Sequence, residues 1–156
     1  MKLMIIFSLV ILSISINAQD KRFTSYAYTE PMAYDDGFNI GLAIEYQMTI
    51  MYFKVQTFIF PDLNGISYFD LQGTILGFNY HYNDYRLFLG GKTGIIKRDK
   101  YIYPVVGVEF GLERYFNSFY IGGQGSWDFR MDDKYWNAKA TGYWRYNAGI
   151  KIGFYW

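Results

Sequence analysis

Residues 145–156 read RYNAGIKIGFYW, and their alternation decides the fold. Tyr146, Ala148, Ile150, Ile152, Phe154 and Trp156 fall on one face, and Arg145, Asn147, Gly149, Lys151, Gly153 and Tyr155 on the other. Successive side chains of a strand point to opposite sides, so the segment is predicted to be a strand with one apolar and one charged face. Such a strand suits a wall between hydrocarbon and water. A final aromatic in mid-strand would leave an exposed edge in a water-soluble domain.

Working back from this strand, short and long connections alternate. Strand 7 spans roughly 119–130, strand 6 103–115, strand 5 85–96 and strand 4 67–81. Strand 3 spans roughly 50–60, strand 2 38–47 and strand 1 22–29. Short turns are expected at Gln47–Thr49, Tyr82–Asp84 and Phe116–Ser118, and longer loops at Glu30–Gly37, Pro61–Gly65, Lys97–Ile102 and Met131–Gly142. PDLNG at 61–65 carries strong turn chemistry. The fold class expected is all-β: an eight-stranded antiparallel up-and-down barrel, with all short turns at one end and all long loops at the other.

Composition agrees with two-faced strands. The chain is 51% hydrophobic and 22% aromatic, with 17 Tyr and 14 Phe. Its mean hydropathy is nonetheless close to zero, so apolar and polar residues are interleaved. Net charge is +1, which gives no electrostatic case for a nucleic-acid partner. Residues 1–18 have the form of a secretory signal peptide, with Lys2 before an apolar run from Leu3 to Leu12 and Ala18 before the cleavage point. The alternative, an anchoring helix, is disfavoured because that run is short for a span of ~30 Å. One domain, 19–156, is then expected to be the barrel. With no Cys in the chain, disulfides, thiol catalysis and cysteine-held metal are excluded.

The two faces assign inside and outside. Strand 2 places Phe38, Ile40, Leu42, Ile44 and Tyr46 against Gly41, Ala43, Glu45 and Gln47; strand 6 places Val106, Val108, Phe110 and Leu112 against Gly107, Glu109, Gly111 and Glu113. Strand 4 changes parity near Ile75, the signature of a bulge. A soluble barrel would turn the apolar face inward. Here the polar face is Gly-rich, which suits a crowded small lumen. Aromatics also gather near strand ends, as membrane girdles do. One group is Tyr46, Tyr80, Tyr82, Tyr85, Tyr115, Phe116 and Trp156. The other is Phe60, Tyr68, Phe69, Tyr101, Tyr103, Trp127, Phe129, Trp136, Tyr143 and Trp144.

With the polar face inside, the lumen holds Glu45, Lys54, Asp70, Arg86, Lys92, Glu109, Glu113, Asp128, Arg130, Arg145 and Lys151. Buried charges of near-equal number imply a cross-lumen ion-pair network. Eight strands enclose little more than their own side chains, so the interior is expected to be a plug. Glu109 and Glu113 lie about 13 Å apart along a strand, too far to share a proton. Pairing with Arg86, Lys92, Arg130 or Arg145 is expected instead. His81, the one histidine, belongs to the short-turn end of strand 4, whereas Ser126 lies well towards the other end, so a His–Ser dyad is not expected. One His without Cys supports no metal centre, and no cofactor motif occurs. The pairs Asp35–Asp36 and Asp132–Asp133 read as solvated loop charge, with divalent-cation binding as the alternative. Lys134, Tyr135, Trp136 and Lys139 form the candidate contact surface on the last long loop.

In topology, pattern and terminus, residues 19–156 resemble the small eight-stranded bacterial outer-membrane barrels of the OmpX/OmpA transmembrane type. The NAQ signal end and the Tyr-rich strands resemble Bacteroidetes versions. The resemblance implies an outer-membrane location with a periplasmic C-terminus, and Ile152, Phe154 and Trp156 as an assembly signal for the barrel assembly machinery. It implies membrane lipid and lipopolysaccharide as partners, beside an unidentified surface ligand or protein, and no catalytic residue. No periplasmic domain is expected after the barrel. A non-enzymatic envelope or surface-interaction role is the first expectation; a lipid A-modifying enzyme and a narrow solute channel are the alternatives.

Overall fold

The computed structural model describes residues 22–29, 40–59, 68–135 and 137–155. Eight strands alternate along the chain: β1 Arg22–Thr29, β2 Ile40–Gln47, β3 Met51–Ile59, β4 Tyr68–Tyr82, β5 Tyr85–Arg98, β6 Tyr101–Tyr115, β7 Phe119–Arg130 and β8 Tyr143–Tyr155. Each pairs antiparallel with its sequence neighbours, and β8 pairs with β1, closing the barrel. Closure removes both edges, including the one the terminal strand would otherwise leave bare. Thr24 is opposite Tyr155 and Arg22 is opposite Gln47, so the start of β1, the end of β8 and the short turns share one end.

One connection differs from expectation. Residues 97–102 are not a long loop: β5 runs on to Arg98 and β6 begins at Tyr101, leaving a two-residue turn at Asp99–Lys100. Asp99 takes φ 50° there and Asn83 takes φ 51° in the β4–β5 turn. Asp and Asn accept this left-handed backbone better than other side chains do, which is why both hairpins turn so tightly. Connection length therefore does not alternate strictly around the barrel. The first short turn is also displaced, to residues 48–50.

The apolar face is outside. Leu42, Ile44, Val55, Leu87, Leu89, Val108, Phe110 and Ile152 are all exposed, whereas Glu45, Arg86, Glu113 and Lys151 are no more than 1% exposed. In β4, Lys92 pairs with Thr74 but Gly91 pairs with Leu76, so Ile75 is the extra residue of a bulge. Ile75 and Leu76 both point outward. Without that bulge, Asn79 would face away from the lumen.

Glycines make room for rings across the strands. Tyr28 is opposite Gly41, Tyr52 opposite Gly77, Phe88 opposite Gly111 and Tyr120 opposite Gly153. A Cβ at Gly41 or Gly77 would come within 2.2 Å of the facing ring, which lies flat over the glycine backbone. Outside, Phe110 covers Gly125 in the same way.

Candidate functional site: the lumen and its mouths

Alternation in the strands delivers charges into the barrel at every second position. Among the described residues the buried set is balanced: Glu45, Asp70, Glu109, Glu113, Asp128 and Asp132 against Lys54, Arg86, Lys92, Arg98, Arg130 and Lys151. Balance is what a low-dielectric interior requires, because an unpaired buried ion is far costlier than a paired one.

Nearest the short turns, Arg86 is the hub. Its Nη1 donates to both oxygens of Glu113 at 2.9 Å, its Nη2 lies 2.5 Å from Glu45, and its Nε donates to Asn79 at 2.7 Å. The Asn79 amide then donates to the carbonyls of Met48 and Met51, tying the β2–β3 turn to the hub. Glu113 also pairs with Lys151 and accepts from the Tyr115 hydroxyl at 2.7 Å. The Arg86 Cζ lies 4.8 Å from the centroid of the Tyr52 ring and 4.9 Å from that of Phe88. A guanidinium this close over aromatic rings adds a cation–π contribution.

Further along, Glu109 pairs with Lys54 and accepts from Tyr52 at 2.7 Å and Thr74 at 2.6 Å. The next row joins Lys92 to Asp128 at 2.8 Å, with Asn147 donating to the same carboxylate. Glu109 and Glu113 therefore serve separate clusters. Glu113 takes the expected partner Arg86; Glu109 takes Lys54, from the facing part of the wall. Arg145 is half-buried, opposite Asp128 in the β7–β8 register.

At the long-loop end a single 3-10 turn, Asp132–Tyr135, lies against β5 and β6. Asp132 is 1% exposed and accepts from Arg98 at 2.8 Å, from Arg130 at 3.2 Å and from the Tyr143 hydroxyl at 3.1 Å. Arg130 also reaches Asp70 at 3.8 Å. Burial opposes ionisation of Asp132, but the two guanidiniums outweigh it and hold its pKa below the ordinary aspartate value. Asp133 accepts from the Gly142 amide at 3.1 Å, where Gly142 takes φ 102°. The expectation of solvated loop charge at Asp132–Asp133 is thus corrected: Asp132 ties the 3-10 turn to Arg98 and Arg130 of the barrel, and Asp133 ties it to Gly142.

Other girdle assignments also change. Tyr115 points inward to Glu113 and Gln47, Tyr143 points inward to Asp132, and Tyr103 lies on the inner face of β6 opposite the buried Ile96, so none of the three belongs to the outer aromatic belt. Tyr80, Tyr82, Tyr85 and Phe116 at one end, and Tyr101, Trp127 and Trp144 at the other, are exposed.

His81 is exposed at the short-turn mouth, its ring 6.4 Å from that of Tyr115, in an open vestibule of about 1020 Å³. Gln47, Asn79 and Tyr115, also in that lining, belong to the hub cluster below. Ser126 sits opposite Glu109, four residues along β6 from the Arg86–Glu113 row, or about 13 Å. Its hydroxyl donates to Asp128 and accepts from Asn147. The structure does not bring His81 and Ser126 together. No group of three or more potential metal ligands occurs among the described residues.

Ile152 and Phe154 are exposed on β8. Lys134 is half-buried, and Lys139 is exposed with its backbone amide donating to Asn137. Tyr135 lies in the 3-10 turn. Trp136 and Trp156 lie outside the described residues, as do the signal segment 1–18 and Asp35–Asp36.

No known protein-family profile matches the sequence, and a search of curated proteins gives no significant match. Solved structures do match. The chain is similar to the N-terminal β-barrel domain of Pseudomonas aeruginosa OprF, at 14% identity and TM-score 0.55, over 88% of this chain and 100% of that one. It is similar also to Neisserial surface protein A, NspA, at 8% identity and TM-score 0.58, over 88% of this chain and 98% of the other. At these identities the likeness speaks for architecture: the chain has the fold of the small eight-stranded outer-membrane barrels.

Proposed function

We propose that this chain is an integral outer-membrane protein without enzymatic activity, its short turns and C-terminus in the periplasm and its longer loops outside. One observation carries the reading. The barrel is inverted, with its aliphatic and aromatic side chains exposed outside and its ion pairs buried within. Water cannot stabilise that exterior over so many strands; a bilayer does. The exposed tyrosines and tryptophans near both ends match headgroup depth, where amphipathic rings are favoured.

The paired interior acts as a plug and a brace, and the chain contributes to the envelope, or to surface contact, through the loops at the Lys134–Lys139 end. Lipid and lipopolysaccharide are its surroundings, and the barrel assembly machinery inserts it, with Ile152, Phe154 and Trp156 as the recognised strand. Electrophoresis of the outer-membrane fraction with and without boiling tests this reading. A band that migrates faster unboiled and partitions with outer membrane is expected. Recovery in the soluble periplasmic fraction, with no heat-dependent shift, would overturn it.

A further inference from the structure

On the outer wall the chain leaves a recess of about 490 Å³. That size lies within the roughly 300–1,000 Å³ typical of ligand pockets. Its floor is Gly91 and Thr93 on β5 with Val106 and Val108 on β6; Ile75, raised by the β4 bulge, bounds one side and Trp127 and Trp144 the other. The aromatic side is built: Trp127 lies 4.7 Å from Trp144 and stacks on Tyr146 at 5.6 Å. The floor is low because position 91 carries no side chain and a Cβ there would meet nothing within 4 Å.

Two cations lie beyond this recess, towards the tip of the same hairpin. Gly91, Thr93, Ile95 and Lys97 alternate along the outer face of β5, and Lys97 is exposed four residues beyond Thr93, about 13 Å. Lys100, at the tip of the same hairpin, is exposed with its Nζ 5.4 Å from the Tyr101 ring; Asp99 between them is exposed too. An apolar trough with ammonium groups beyond it, in the half of the wall nearer the long loops, complements an acyl chain attached to an anionic headgroup.

We propose that this recess binds one acyl chain of a phosphorylated glycolipid of the outer leaflet, lipid A, with its phosphate at Lys97 and Lys100. The inference rests on the outer-membrane orientation proposed above. The trough holds the chain against Gly91 and the Trp127–Trp144 pair, and the lysines select the charged headgroup.

The test uses purified full-length protein in detergent, titrated with lipid A or with phosphatidylglycerol, and native mass spectrometry of the bound species. The Cβ of Gly91→Leu meets nothing within 4 Å and its side chain occupies the trough on the outer wall, so its heat-dependent gel shift should equal that of the wild type. Lipid A should bind it about tenfold more weakly, the loss expected when roughly two methylene groups lose contact. Lys97→Ala should weaken lipid A binding and leave phosphatidylglycerol binding little changed. Equal retention by wild type and Gly91→Leu overturns the proposal, as does a preference for phosphatidylglycerol or a wild-type dimer that Gly91→Leu dissolves. A heat-shifted, outer-membrane protein that shows any of these leaves the proposed function standing, whereas a chain absent from the outer membrane removes both.

Discussion

Arg86 is held from three other strands: by Asn79 on β4, Glu113 on β6 and Glu45 on β2. Such a side chain braces a small barrel across its diameter, between the buried rings of Tyr52 and Phe88. Breaking one arm should therefore cost more than an exposed ion pair would. Glu113→Ala takes from Lys151 the carboxylate it pairs with and leaves Arg86 with Glu45, and stability should fall by about 3–5 kcal/mol, the range for stranding a buried charge. Urea titration of the folded, fast-migrating band measures it; a loss under about 1 kcal/mol would show that Glu113 behaves like a water-exposed carboxylate. Alternation alone exposes most of these residues in the sequence. Their partners are less legible, because Lys54 reaches Glu109 across the lumen through barrel closure, which no spacing along one strand records.

The strands were legible to within a few residues, and even the parity change at Ile75 corresponds to a real bulge. The failures are at the long-loop end. KRDK at 97–100 looks like a solvated loop, yet Ile95 and Lys97 continue the outer face while Ile96 and Arg98 continue the inner one. Arg98 then enters the lumen and meets Asp132, whose buried place depends on the 3-10 turn lying against β5 and β6. Local pattern carries no trace of that contact. The same contact gives the element a pH dependence. Asp132 has its pKa lowered on folding, with Arg98, Arg130 and Tyr143 facing it and Asp70 sharing Arg130. Its stabilising contribution is therefore complete above the unfolded value and is lost as pH falls below about 4. Hydrogen-exchange protection at residues 132–135 and 137–142, taken relative to the intrinsic rate at each pH, should fall between pH 6 and pH 3, while the β5–β6 ladder stays protected. Asp132→Asn should show the low protection at both pH values.

Across the whole molecule, the interior divides the barrel into stacked clusters, each spanning the lumen. The open vestibule at the short-turn mouth meets Gln47, Asn79 and Tyr115 from the hub, and the 3-10 turn lies against the other end of the barrel. A conducting path would have to part the Arg86–Glu113 hub, the Glu109 cluster, the Lys92–Asp128 pair and the Asp132 cluster in series. Desolvating an ion while separating even one of these pairs opposes passage strongly. Planar-bilayer recordings of the purified protein should therefore show no conductance steps at neutral pH. The double substitution Arg86→Ala and Lys151→Ala removes the two largest cationic side chains from one layer only, so it too should remain closed, because three layers are intact. Regular single-channel steps in the wild type would mean that the layers open together, and the plug would then be a gate.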